Sequence, residues 1–153
     1  MGSSAPASCD GCGLVFYLNT AVSVSAVIRD DAGRVLLIRR AKDPGRGRLS
    51  LPGGFVDRGE TAEAALAREI REEIGLEVSG ASFLLSSPNM YDYKGVTYPV
   101  LDLFFVAEVR ALDVVLDRSE VSGHELTPLD EIDIEGLAFA SAGVALRALR
   151  RAP

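Results

Sequence analysis

Residues 54–76 read GFVDRGETAEAALAREIREEIGL, and the pattern inside this stretch decides how the chain is organised. Thr61 is placed to cap a helix, Glu63 falls in its positive first turn, and Gly75 suits a left-handed stop. Between those ends Ala62, Ala65, Leu66, Ile70 and Ile74 recur at helical spacing and form an apolar stripe. Glu69, Glu72 and Glu73 lie three and four residues apart, so their carboxylates stack one turn over another. Like charges at that spacing weaken an isolated helix by roughly 0.2–0.5 kcal/mol per pair, so the cluster calls for a counter-ion. Oxygen donors alone suit a hard divalent cation, Mg²⁺ or Mn²⁺. One helix is therefore expected to supply both core and ligands.

Outward from this helix the chain alternates short strands and turns. Residues 21–29 (AVSVSAVIR) alternate small polar with apolar side chains, 30–33 form a turn, and 35–38 are an apolar run. Together they predict a hairpin. Residues 43–48 (DPGRGR) are too rich in glycine and proline for anything but a loop. Further strands are expected at 77–85, 100–110 and around 124–127. A last helix is expected over 141–150, where Arg147 and Arg150 lie near the end that the helix dipole favours for cations. Strands mixed with two helices predict an α/β sandwich.

Composition fits a compact enzyme. The chain has 153 residues, enough for one domain with a substantial core. Acidic residues outnumber basic ones, 22 to 16, for a net charge of −6. That balance disfavours a nucleic acid or an anionic membrane as partner, and any phosphate-bearing substrate would have to be drawn in locally by cations and a few arginines. No apolar run approaches a membrane span, and no basic segment leads into an apolar one at the N-terminus. A cytoplasmic protein is expected, with residues 1–8 as a disordered tail.

Gly54, Glu60 and the run Arg68-Glu69-Ile70-Arg71-Glu72-Glu73-Ile74-Gly75-Leu76 resemble the Nudix box at every defined position. That box is the signature of hydrolases that cleave nucleoside diphosphates linked to another group. The resemblance implies a Nudix-type α/β/α sandwich with a mixed sheet over residues 20–153, the box forming loop–helix–loop. It implies Mg²⁺, with Mn²⁺ as the alternative, held by Glu69 and Glu73 directly and by Glu72 as a third or water-mediated ligand. A backbone carbonyl at Gly53 is expected to join them. Arg68 has two readings, phosphate contact or a brace to Glu60; its place beside the ligands favours the brace. The implied reaction is hydrolysis of the diphosphate in an ADP-ribose or NADH-like compound by water attack at phosphorus. Sanitising of noncanonical nucleoside triphosphates and non-catalytic nucleotide sensing are the alternatives. The small-molecule nucleotide is the expected partner, and a homodimer is the implied assembly.

Outside the box the signals thin. Glu120 is the downstream candidate for a general base, lying just before the last strand; Glu125 and the single histidine, His124, are weaker ones. Arg39 and Arg40 precede a flexible loop and are candidate phosphate contacts. Tyr91, Tyr93 and Tyr98 either stack on a base or pack internally. Cys9-Asp10-Gly11-Cys12-Gly13 with Val15-Phe16-Tyr17 is similar to the last knuckle of the zinc ribbon preceding NADH-pyrophosphatase-type Nudix enzymes. A structural zinc needs four ligands and this chain has one cysteine pair, so 9–19 reads as a remnant knuckle without zinc at Cys9 and Cys12.

Overall fold

A computed structural model describes residues 7–17 and 19–151 of the chain. Its elements run β1 (Ala7–Ser8), β2 (Val15–Phe16), β3 (Ala21–Ile28), β4 (Val35–Arg40), β5 (Leu49–Ser50) and β6 (Gly53–Phe55). They continue with α1 (Ala62–Ile74), β7 (Val78–Tyr93), β8 (Val96–Val109), β9 (Val121–Thr127) and α2 (Ala140–Arg151). A four-stranded sheet has the order β6-β3-β8-β7, and a three-stranded one the order β5-β4-β9. The first is mixed: β3 pairs parallel with β8, while β6 and β7 join antiparallel at its edges.

Alternation along the strands makes two cores. Val24, Ala26, Ile28, Leu36, Ile38, Phe105 and Ala107 pack against Ala65, Leu66, Ile70 and Ile74 of α1. The intervening Val27, Val35, Leu37 and Phe104 pack instead against Ala142, Ala145 and Leu146 of α2. Successive side chains of a strand point to opposite faces, so the same strands serve both layers. The expected sandwich is present, with α1 on one side and α2 on the other.

Two expectations need correction, and a third falls largely outside the described residues. Residues 21–38 do not form a ladder hairpin: β3 and β4 meet only through the bridge Arg29↔Val35 and then enter different sheets. The turn is real, because the Asp30 carboxylate accepts from the Ala32 and Arg34 N–H groups at 3.1 and 2.8 Å. Beyond it, β3 and β4 put apolar residues into both cores, and each takes other neighbours on both its edges. Second, the strands expected at 77–85 and 100–110 extend into one long hairpin, β7 and β8, of 16 and 14 residues. Lys94 (φ 50°) and Gly95 (φ 80°) close it as a two-residue turn, the geometry that matches strand twist. Third, residues 1–6 of the expected tail lie outside the described residues, and Ala7–Ser8 pairs with β2.

Candidate active site

The helix that carries the carboxylates is fixed at both ends. The Thr61 hydroxyl accepts from the Ala64 N–H at 3.2 Å, and Gly75 (φ 70°) donates its N–H to the Arg71 carbonyl. These are an N-cap and a left-handed C-cap. Between them Glu73 is 5% exposed, and its Oε2 accepts from the Gly53 N–H at 2.8 Å. Gly54 leaves room for the neighbouring carboxylate: a Cβ there would lie 2.5 Å from the Glu69 carboxyl atoms. At Gly53 (φ 142°) a Cβ would stand 2.8 Å from the Ser25 Cα, so β6 can lie against both β3 and α1 only with glycine here.

Arg68 clasps Glu60 bidentately, Nε to Oε1 at 2.8 Å and Nη2 to Oε2 at 2.9 Å. It also donates to the Phe55 carbonyl at 3.0 Å, to Glu69 at 2.8 Å and to Glu72 at 3.2 Å. The guanidinium thus ties the 55–60 loop to α1. It holds the Glu60 carboxyl down to about 2, helped by the Asp57 N–H. The carboxylates raise Arg68 itself still further. Burial pushes Glu69 up, against the pull of Arg68. Burial, with the Glu69 charge beside it, pushes Glu73 up to about 8 although the Gly53 N–H opposes the shift.

Backbone bonds bring a distant turn to the same place. Val115 and Asp117 donate N–H groups to the Ile74 and Glu73 carbonyls at 2.9 and 3.0 Å, which docks residues 115–117 on the end of α1. Glu120 follows, and its carboxylate pairs with the Lys42 Nζ at 2.8 Å. Glu69, Glu73 and Glu120 line one cavity of about 240 Å³, together with Gly53, Gly54 and Arg40. The charge of Glu120 contributes to raising both Glu69 and Glu73.

The donor set fits a hard divalent ion, since Glu69 and Glu73 offer only carboxylate oxygen; without an ion, Glu69 is paired with Arg68 and Glu73 is met by the Gly53 N–H. Among the described residues no three acidic, histidine or cysteine side chains converge closely enough to hold a metal. Glu72 is the reason on α1: its side chain is 55% exposed, bonded to Arg68, and outside the cavity lining. Gly53 meets Glu73 through its N–H.

Other expected residues divide. Arg40 lines the cavity with its guanidinium 5.0 Å from the Phe139 ring centroid. Arg39 turns away, bonding the Gly47 carbonyl at 2.8 Å and pairing with Glu125 at 3.2 Å. Tyr91 lines the cavity, edge-on to Phe55 at 5.2 Å and stacked on Phe139 at 5.8 Å. Tyr93 and Tyr98 are exposed and do not line it; Lys94 lies over the Tyr93 ring. Cys9 and Cys12 are free and exposed. The sequence reading missed Phe55, Phe139, Ser23, Asp102 and Ser141, which also line the cavity. Strand alternation carried a signal for Ser23 and Asp102, polar residues interrupting otherwise apolar strands.

The chain belongs to the Nudix family: the NUDIX domain model matches residues 19–148. A protein of Methanocaldococcus jannaschii named ADP-ribose pyrophosphatase is 42% identical over 95 residues, 61% of this chain and 53% of that protein. The NAD-capped RNA hydrolase NudC of Mycobacterium bovis is 47% identical over 66 residues, 43% of this chain and 21% of that protein. The chain therefore spans about half of the first relative and a fifth of the second. A crystal structure of a MutT NUDIX hydrolase from Burkholderia pseudomallei matches with a TM-score of 0.74 at 28% identity. The match covers 86% of this chain and 98% of that one.

Proposed function

We propose that the chain is a divalent-metal-dependent pyrophosphohydrolase that cleaves the diphosphate of a nucleoside diphosphate derivative, ADP-ribose or an NADH-like compound. The observation that carries this reading is the meeting of Glu69, Glu73 and Glu120, from a helix and a distant turn, in one cavity. The likeness to the archaeal ADP-ribose pyrophosphatase supports the substrate class. Glu69 and Glu73 would hold the ion, Mg²⁺ in this reading, with Glu72 at its outer side once Arg68 yields. When bound, it would neutralise phosphate charge and make bound water more acidic.

The chain's own groups account for the remaining tasks. Glu120 accepts a proton from the attacking water as its oxygen bonds to phosphorus. The anhydride P–O bond then breaks, and its electron pair leaves on the departing phosphate. Arg40 faces the cavity and offsets charge on the substrate, while Tyr91 and Phe139 offer aromatic surface to its nucleoside. Arg68 and Glu60 keep the box loop against α1 so that the ligands stay in place.

The test is product release from ADP-ribose, NADH, dinucleoside polyphosphates and nucleoside triphosphates with Mg²⁺, wild type beside Glu73→Gln. AMP from the first two, with wild type only, is the expected result. Pyrophosphate released from a triphosphate would move the chain to nucleotide sanitising. Binding without turnover across the panel would overturn the hydrolase reading in favour of a sensor.

A further inference from the structure

A polar row crosses the floor of the cavity. Register places Phe55 beside Ser23 on β6 and β3, Ser23 beside Asp102 on β3 and β8, and Asp102 beside Ser87 on β8 and β7. Asp102 is 6% exposed, yet it lines the cavity. Among the described residues no ion pair reaches it. The Ser23 hydroxyl donates to one carboxylate oxygen, and the Ser141 hydroxyl, from the first turn of α2, donates to the other. Each serine has one hydroxyl proton, and both are spent on Asp102. What the trio offers the cavity is therefore acceptor lone pairs only.

Each Asp102 oxygen already has its serine donor, and the lone pairs left over on this buried carboxylate can accept only from a donor on whatever fills the cavity. Its distance from the carboxylates of α1 says which part of the ligand that is. Gly53, bonded to Glu73, is separated from Asp102 by two strand spacings and two residues of rise, roughly 12 Å between backbone positions. A nucleoside monophosphate has about that reach. With its phosphate near Glu69 and Glu73, its nucleoside end arrives at Asp102, beside the Tyr91 and Phe139 rings.

We propose that Asp102, oriented by Ser23 and Ser141, selects substrates whose nucleoside end carries a hydrogen-bond donor, an exocyclic amine of the base or a ribose hydroxyl. This rests on the hydrolase reading above for its substrate class. Asp102 is a specificity residue here and takes no part in breaking the anhydride. Asp102→Asn keeps the shape but replaces one acceptor oxygen with an N–H₂ donor, which turns it against a donor on the ligand.

The experiment measures kcat/KM of wild type and Asp102→Asn on three substrates with Mg²⁺: ADP-ribose, its analogue with unsubstituted purine for adenine, and its 2′-deoxyadenosine analogue. In parallel, calorimetry without metal follows binding of the three matching nucleoside monophosphates. The substitution should lower kcat/KM on ADP-ribose about tenfold to a hundredfold, mainly through KM. Loss of that penalty on the purine analogue identifies the amine as the donor; loss on the deoxy analogue identifies the ribose hydroxyl. An equal penalty on all three, as a purely structural role would give, or no penalty on any, overturns the proposal. Ser141→Ala keeps the carboxylate but removes one of its anchors, and should show a smaller loss with the same substrate dependence; it carries the test if Asp102→Asn does not fold. Should wild type hydrolyse none of the three, the hydrolase reading fails by itself, and calorimetry still decides the role of Asp102.

Discussion

Glu73 is buried, with the Gly53 N–H as its hydrogen-bond donor and the Glu69 charge beside it, a costly place for a carboxylate that serves no ligand. Glu73→Gln keeps the size of the side chain and an oxygen for that N–H, while removing the charge. In chelator above about pH 8, where the Glu73 carboxyl is charged, the variant should melt no lower than wild type, because a buried uncompensated charge is worse than an amide. Turnover with Mg²⁺ should nonetheless fall by more than about a hundredfold, since even outer partners of a metal ligand are worth about 10–100-fold. Comparable turnover would take Glu73 out of the site. The two glycines beside it should separate folding from activity. Gly54→Ala meets only the movable end of Glu69, so its melting point should hold while activity drops. Gly53→Ala meets β3 backbone at a positive φ, and should cost about 1–3 kcal/mol in a denaturant titration. Equal stability losses for the two would contradict the close approach of β6 to β3.

At the scale of elements, the box loop is held to α1 chiefly by the Arg68–Glu60 clasp, and this has a pH signature. The Glu60 carboxyl titrates at about 2 in the folded chain against an ordinary 4.5. A depressed folded value stabilises fully above the unfolded value and is lost as pH falls through the folded one. Urea midpoints of wild type should therefore fall between pH 4.5 and 2, and Glu60→Gln should show a flatter acid limb over that window. Parallel limbs would mean the clasp adds nothing to stability. The same elements show how far sequence reaches. Thr61, Gly75 and the apolar stripe of α1 were legible because caps and helical period act within a few residues. The course of β3 and β4 was not, because a turn such as 30–33 says nothing of which neighbours a two-faced apolar strand will take. The length of the β7–β8 hairpin escaped for the opposite reason, since Pro88 and the Lys94-Gly95 turn broke the local strand pattern while pairing across the sheet carried it on. Glu69, Glu73 and Glu120 were readable as candidates. Ser23 and Asp102 were marked only as polar residues within strands, and their meeting with Ser141 was not readable, because three strand and helix positions far apart in sequence acquire a shared chemistry only after the sheet is built.

For the whole molecule, the cavity depends on two layers that grip the same strands from opposite faces. Glu69 and Glu73 come from the α1 layer, and Ser141 and Ala142 from the α2 layer. Their relative positions are kept by the strands alone, so the two cores should contribute to stability as independent bodies. Ile70 is fully buried in the first and Ile132 nearly so in the second, and they share no cluster. Ile70→Val and Ile132→Val should each cost about 0.5–1.5 kcal/mol, the usual result of removing one buried methylene. The double variant should then lose the sum of the two within about 0.5 kcal/mol, as distant sites without common partners do. Chemical denaturation of the four proteins checks this, with the slope of each transition watched for loss of two-state behaviour. A coupling well above that limit would mean that the strands transmit packing changes from one layer to the other. In that case a repacked α2 would also displace Glu69 and Glu73, and Ile132→Val would lower turnover despite lying outside the cavity lining.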